Sequence, residues 1–191
     1  MSALTLNVPE TLQLAPEQFE QLAAANPQIR LELTAAGGLV IMPPTGGETG
    51  DRNSEISGQL WYWNRQHKLG KTFDSSTGFR LPNGAVRSPD ASWVRRDRWE
   101  ALTPQERQKF LPLCPDFAVE LLSPSDELAE IQEKMQEYLD NGLCLGWLLN
   151  PQLRTVEIYR QGQPPEVANN PAILTGEAVL SGFELDLSAV W

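Results

Sequence analysis

With 191 residues, 41% of them hydrophobic and 21% charged, the chain has the composition of one globular domain over 1–191 with a sizeable core, which excludes a disordered segment. A formal net charge of -10 argues against broad, charge-driven binding to nucleic acid, where a basic footprint is expected. No run approaches the ~18 consecutive apolar residues of a membrane span, which excludes a membrane protein of that kind.

In chain order, Pro16 to Ala25 (PEQFEQLAAA) opens with proline and is rich in helix formers, so a short helix is expected. IRLELTAAGGLVIMPP then predicts an N-terminal hairpin turned around Gly37 and Gly38. PTGGETGDRN is expected to be loose, followed by a packed helix in SEISGQLWYWNRQHK, where Ile56, Leu60 and Trp63 recur at helical spacing. From Thr72 to Arg96, β-type runs are broken by Asn83-Gly84, a hairpin turn signal. Thr103-Pro104-Gln105-Glu106 has the pattern of a capping box with proline at the first helical position, which predicts a short helix.

The strand FAVELL follows at Phe117 to Leu122, then a helix from about Asp126 to Asp140 closed by Asn141-Gly142. The strands LCLGWLL and TVEIYR turn at Asn150-Pro151, and the remainder predicts short edge strands. The order is that of a mixed α/β protein with a central sheet covered by helices. Trp61, Trp63 and Trp147 are expected in the core.

Cys114 and Cys144 lack metal-knuckle spacing and read as reduced core thiols, and MSALTLNVPETLQL lacks the pattern of an export signal. A cytoplasmic location is the expectation. A single histidine, His67, makes zinc chemistry or a Ser-His-Asp relay a poor fit. Arg80, Arg87, Arg95, Arg96 and Arg98 face only Asp90 and Asp97 in their segment. That excess of positive charge is either a solvated loop face or a phosphate-facing patch.

The chemistry centres on Glu120, a carboxylate inside an apolar strand. Asp90, after Pro89, begins the strand ASWV, and adjacent strands could bring the two acids together. Two buried anions repel unless a cation lies between them or one takes a proton. A hard divalent cation such as magnesium suits one or two carboxylates and several waters. Lys134 lies at the edge of the apolar stripe formed by Ile131, Met135, Tyr138 and Leu139, from which its stem can reach inward. Each residue also has a plainer reading: Lys134 in a surface pair with Glu130 or Glu137, Glu120 on an edge or beside an arginine, Asp90 in a turn.

Together, S-P-D at 88–90, F-A-V-E-L-L-S-P-S at 117–125 and E-K-M-Q-E-Y at 133–138 resemble the PD-(D/E)XK nuclease superfamily. Within it they are most similar to a bacterial group of restriction-endonuclease-like proteins. The resemblance implies a restriction-endonuclease-like fold: a central mixed sheet flanked by helices, here with an N-terminal hairpin and extra edge strands. It also implies cleavage of DNA dependent on Mg2+ or Mn2+, with Asp90 and Glu120 as metal ligands and Lys134 as the charge stabiliser.

An acidic residue near the first helix often completes such sites, which points to Glu48 or Glu55, with Glu48 preferred as a loop residue free to face the sheet. One departure stands out, since position 122, where the superfamily places lysine, is Leu. Asp116, only four residues before Glu120, belongs to the same strand and is a decoy for the P-D motif. Two other functions remain open: a catalytically silent binding or regulatory module, and a hydrolase of a small phosphorylated substrate. A homodimer is expected on symmetry grounds.

Overall fold

The computed structural model describes residues 4–6 and 14–191. Its central sheet is built from six strands: β4 (Gly70–Asp74), β7 (Ala91–Arg95), β8 (Phe117–Leu121), β9 (Leu145–Asn150), β10 (Thr155–Arg160) and β11 (Glu166–Asn169). They lie side by side in the order β11-β10-β9-β8-β7-β4. Only β8 and β9 pair in parallel, joined through helix α4 (Leu128–Asp140), so the sheet is mixed. A second sheet holds β1 (Leu4–Leu6), β2 (Arg30–Leu33), β3 (Leu39–Met42), β5 (Phe79–Arg80) and β6 (Val86–Arg87), in the order β1-β3-β2-β6-β5. Strands β12 (Ile173–Thr175) and β13 (Glu184–Asp186) form a small third sheet. Among the described residues no helix is long and apolar enough to cross a membrane.

Alternation along β8 divides its side chains between two cores, and all five of its residues are buried. Phe117, Val119 and Leu121 join Trp147 and Phe183 against Ile56, Leu60 and Trp63 of helix α2 (Gly47–His67). Ala118 joins Leu148, Met135, Tyr138 and Leu139, so its side of β8 faces α4. Glu120 shares that side by alternation, and this sets its partners. Fully burying an apolar side chain of this size contributes about 1.5–3 kcal/mol, so the two clusters hold the central strand firmly between α2 and α4.

The first helix, α1 (Pro16–Ala25), and the hairpin of β2 and β3 form where the sequence predicts them. Gly84, at φ 90°, closes the expected turn between β5 and β6. Other expectations are corrected. The segment read as loose is helical from Gly47, so α2 is 21 residues long. The capping box does form: Thr103 N donates to Glu106 Oε2 at 2.7 Å and Glu106 N to Thr103 Oγ1 at 3.2 Å. Yet it caps only a single 3-10 turn at Glu106–Gln108, while the short α-helix α3 occupies Arg96–Ala101.

Helix α4 begins at Leu128 with Glu127 as its N-cap, within two residues of the expected Asp126, whose carboxylate accepts from Ser123 N at 2.8 Å in the turn before the helix. Trp61 is half exposed on α2 and Cys144 is exposed, so neither is a core residue, whereas Trp63, Trp147 and Cys114 are buried.

Candidate functional site

Register and alternation build the site. Strands β7 and β8 are antiparallel, with Ala91 opposite Val119. One residue further along that register, Asp90 stands opposite Glu120. Pro89, which lacks an N–H to donate to the ladder, precedes it. Asp90 instead uses its side chain: Oδ2 accepts from Leu121 N at 2.9 Å and Oδ1 from Asn53 Nδ2 of α2 at 3.2 Å.

On the α4 side of β8, Lys134 Nζ lies 2.9 Å from Glu120 Oε1. Tyr138, one turn further along α4, donates its hydroxyl to the same oxygen at 2.9 Å. Both contacts fall on Oε1, which leaves Oε2 outside them. Lys134 Nζ also contacts Glu32 Oε1 of β2 at 3.0 Å, and Ser88 N donates to that oxygen at 2.8 Å. Arg87 bridges Glu32 Oε2 at 3.3 Å and Glu137 Oε2 at 2.5 Å. A buried lattice thus runs from the second sheet across α4 to the central strand.

Four acids, Glu32, Asp90, Glu120 and Glu137, face Lys134 and Arg87, with Arg30 acting on Asp90 from further away. The surplus of negative charge falls on the two acids of the β7–β8 pair. Burial pushes the Glu120 carboxyl up to about 7; Lys134 opposes the shift, while Asp90 and Glu32 add to it. Burial also raises Asp90, against the N–H of Leu121 and the charge of Lys134. Glu32 goes the other way: although burial opposes it, Lys134 and Arg87 together hold its carboxyl below the usual range. Burial would lower the Lys134 ammonium, but Glu120 and Glu32 outweigh it, so the amine stays charged.

The residues singled out in the sequence are distributed unevenly. Asp90, Glu120 and Lys134 converge. Glu48 does not sit in a loop: it lies in the first turn of α2 with its side chain 87% exposed, 3.6 Å from Arg52. Glu55 accepts from Gln59 at 2.9 Å on an exposed part of the same helix. Asp116 is buried before β8, where it accepts from Arg95 N at 2.8 Å and pairs with Arg98 at 3.0 Å, a structural role. The arginine-rich segment is dispersed, since Arg80, Arg87, Arg95 and Arg98 all pair with acids.

Sequence reasoning misses Glu32, Arg87, Tyr138 and Asn53. Glu32 has a visible signal, the same as Glu120: a carboxylate within an apolar strand, here between Leu31 and Leu33. Asn53 has none. While its Nδ2 donates to Asp90, its Oδ1 is buried without a hydrogen-bond partner. The local oxygen donors are therefore two carboxylates and one unsatisfied amide oxygen, all hard ligands. Among the described residues, no group of three or more His, Cys, Asp or Glu side chains could hold a metal ion.

A family model described as "Uma2: Putative restriction endonuclease" matches residues 16–188, most of the chain. The chain belongs to the Uma2 family. A crystal structure of a protein from Anabaena variabilis, described as a putative nuclease belonging to DUF820, superposes with a TM-score of 0.77. It is 20% identical and the match covers 93% of this chain and 97% of that one, so the two share a fold. No curated protein matches. The restriction-endonuclease-like fold and the family resemblance read from the sequence both stand.

Proposed function

We propose that this Uma2 protein is a metal-dependent endonuclease that hydrolyses phosphodiester bonds in DNA, with Asp90 and Glu120 as ligands of a magnesium or manganese ion. The observation that carries the reading is the placement of Asp90 opposite Glu120 with the Lys134 ammonium 2.9 Å from Glu120. Two carboxylates and the unpartnered Asn53 oxygen suit a hard cation that keeps several of its waters. Bound there, such a cation would supply Lewis acidity towards a phosphate oxygen and make an attacking water more acidic.

The chain's own groups supply the rest. Lys134 has three N–H donors, of which Glu120 and Glu32 occupy two, leaving a third for a phosphate oxygen. Its fixed charge offsets the negative charge that builds up as water attacks phosphorus. Glu32 and Arg87 hold the amine in place from behind, and the Leu121 N–H fixes the orientation of Asp90.

The test is cleavage of a supercoiled plasmid with magnesium or manganese, wild type against Glu120→Gln. The variant is expected to lose about 100-fold or more in rate, the scale of losing one electrostatic stabiliser, while remaining folded. Equal rates for the two proteins, purified from a nuclease-deficient host, overturn the assignment.

A second reading, a catalytically silent binding or regulatory module on the same fold, draws on the closure of the ion-pair lattice around Lys134. Such a lattice can serve structure alone. It expects no saturable magnesium or manganese binding in calorimetry, whereas the nuclease reading expects a site that Glu120→Gln removes.

A further inference from the structure

The far end of β7 carries a feature that the acidic cluster does not explain. Asp90 and Arg96 flank this strand, six residues apart, so roughly 20 Å of extended chain separates them. Beside Arg96 lies a cavity of about 640 Å³, lined by Arg65, Lys68, Lys71, Arg96, Arg107 and Trp61 among others, with Glu100 as the acid of its wall. That volume is within the ~300–1,000 Å³ typical of ligand sites. Five cationic side chains against one acid reverse the sign of a chain that carries -10 overall.

These charges are not neutralised internally. Among the described residues, Arg65, Lys68, Lys71 and Arg96 make no ion pair. Arg107 adds an independent sign. Its guanidinium lies over the Trp99 ring at 4.9 Å and its Nη2 donates to Glu100 O at 3.1 Å, yet its Nε is buried without a hydrogen-bond partner. Leaving such a donor unsatisfied is unfavourable, and a small shift of the guanidinium that opened Nε to an oxyanion in the cavity would relieve it. At the rim, Trp61 is 50% exposed, with the Arg65 guanidinium over its ring at 5.1 Å.

Phosphate-binding cations beside an exposed aromatic face are the two elements by which single strands are held without sequence preference. We infer that this cavity anchors the phosphodiester backbone of a single nucleic-acid strand, with Trp61 offering its face to a base. In naming nucleic acid, the inference rests on the nuclease reading, but the binding it describes needs neither metal nor cleavage. Helix α2 links the two places: Asn53 meets Asp90 near its start, and Trp61 and Arg65 stand near its end. A strand held here is positioned to extend towards the acidic cluster.

The experiment is fluorescence anisotropy of a labelled oligothymidylate in EDTA, across a salt series. Wild type is compared with Arg65→Ala/Lys68→Ala, Arg96→Ala and Trp61→Ala, all at exposed positions outside the core. Wild type is expected to bind, and the double variant to bind about tenfold or more weakly, with a salt slope smaller by about 1.4, at ~0.7 for each phosphate no longer neutralised. Trp61→Ala should weaken binding by about tenfold and reduce the quenching of tryptophan fluorescence by the oligonucleotide, leaving the share that comes from Trp99 in the same cavity.

No binding by wild type at low salt overturns the proposal, as does a double variant with unchanged affinity and slope. Inorganic phosphate that displaces the oligonucleotide completely at equal affinity identifies a free-anion site and overturns the strand assignment. The two readings fail separately. If Glu120→Gln cleaves like wild type while the cavity variants lose binding in EDTA, the nuclease reading falls and the anchor stands. If Glu120→Gln stops cleavage while the cavity variants bind as wild type, the anchor falls alone.

Discussion

Lys134 Nζ lies 3.0 Å from Glu32 Oε1, a carboxylate 102 residues away in the other sheet. The contact fastens α4 to β2 and, through Glu120, to the central strand. Glu32→Gln keeps the shape but removes the charge, leaving Lys134 to Glu120 alone. Losing one member of a buried pair costs about 3–5 kcal/mol, so urea unfolding should show a loss of at least about 3 kcal/mol. Because Glu32 helps to raise Glu120, the same variant should move the Glu120 carboxyl down from about 7, as read by carboxyl-carbon NMR. An unchanged titration would mean that the two acids do not interact.

The stability of the metal-free protein should depend on pH in a direction opposite to that of most carboxylates. Glu120 titrates at about 7 when folded, against an ordinary 4.5. Across that window the folded state keeps a proton that the unfolded state has lost, so this group's contribution falls as pH rises and levels off above the upper value. The loss is about 3 kcal/mol, at ~1.4 kcal/mol per pH unit. Glu32, held low, acts oppositely: its contribution is present above the ordinary value and disappears as pH falls through its folded one. Denaturation in EDTA should therefore show Glu120→Gln gaining stability over wild type at alkaline pH and losing that advantage in weak acid. A gain independent of pH would remove the protonation account.

Asn53 and Glu48 both lie on α2, yet their variants should differ in cation affinity. Asn53 donates to Asp90 and carries an unpartnered, buried oxygen, whereas Glu48 is exposed beside Arg52. Groups that orient metal ligands typically contribute about 10- to 100-fold in affinity. Asn53→Ala should weaken manganese binding by about tenfold in calorimetry, and Glu48→Ala should leave it within about twofold, as a surface pair of little energetic weight would. Equal effects from the two would place the cation elsewhere.

What can be read from the sequence and what cannot have different physical origins. Alternation and helical spacing are local, and they locate FAVELL and the α4 stripe without any knowledge of the fold, whereas the register that sets Asp90 opposite Glu120 comes from the pairing of β7 with β8. Lys134 can be placed near Glu120 because only one crossover separates them. Glu32 and Arg87 cannot, since their meeting with α4 depends on how the five-stranded sheet packs, which no short window records. A capping signature misleads where no long helix follows it: Thr103 with Glu106 builds a genuine box, yet over a single turn. Trp61 misleads for a different reason: it follows Leu60 on α2, and a step of about 100° turns it from the core to the solvent.

Tyr138 separates a structural role for the cluster from a chemical one. Its hydroxyl donates to Glu120 Oε1 at 2.9 Å, the oxygen that Lys134 also contacts. Tyr138→Phe leaves the ring in the core formed with Met135 and Leu139 and removes only this donor. A hydrogen bond to a charged group contributes about 1.5–3 kcal/mol, so some loss of stability is expected on either view. The pH profile distinguishes them. A donor favours the ionised carboxylate, so its removal should push the Glu120 carboxyl above about 7 and move the acid limb of cleavage to higher pH. Activity should then be depressed at neutral pH and recover in mild alkali. A uniform loss across the pH range would mean that Tyr138 supports only the packing of α4.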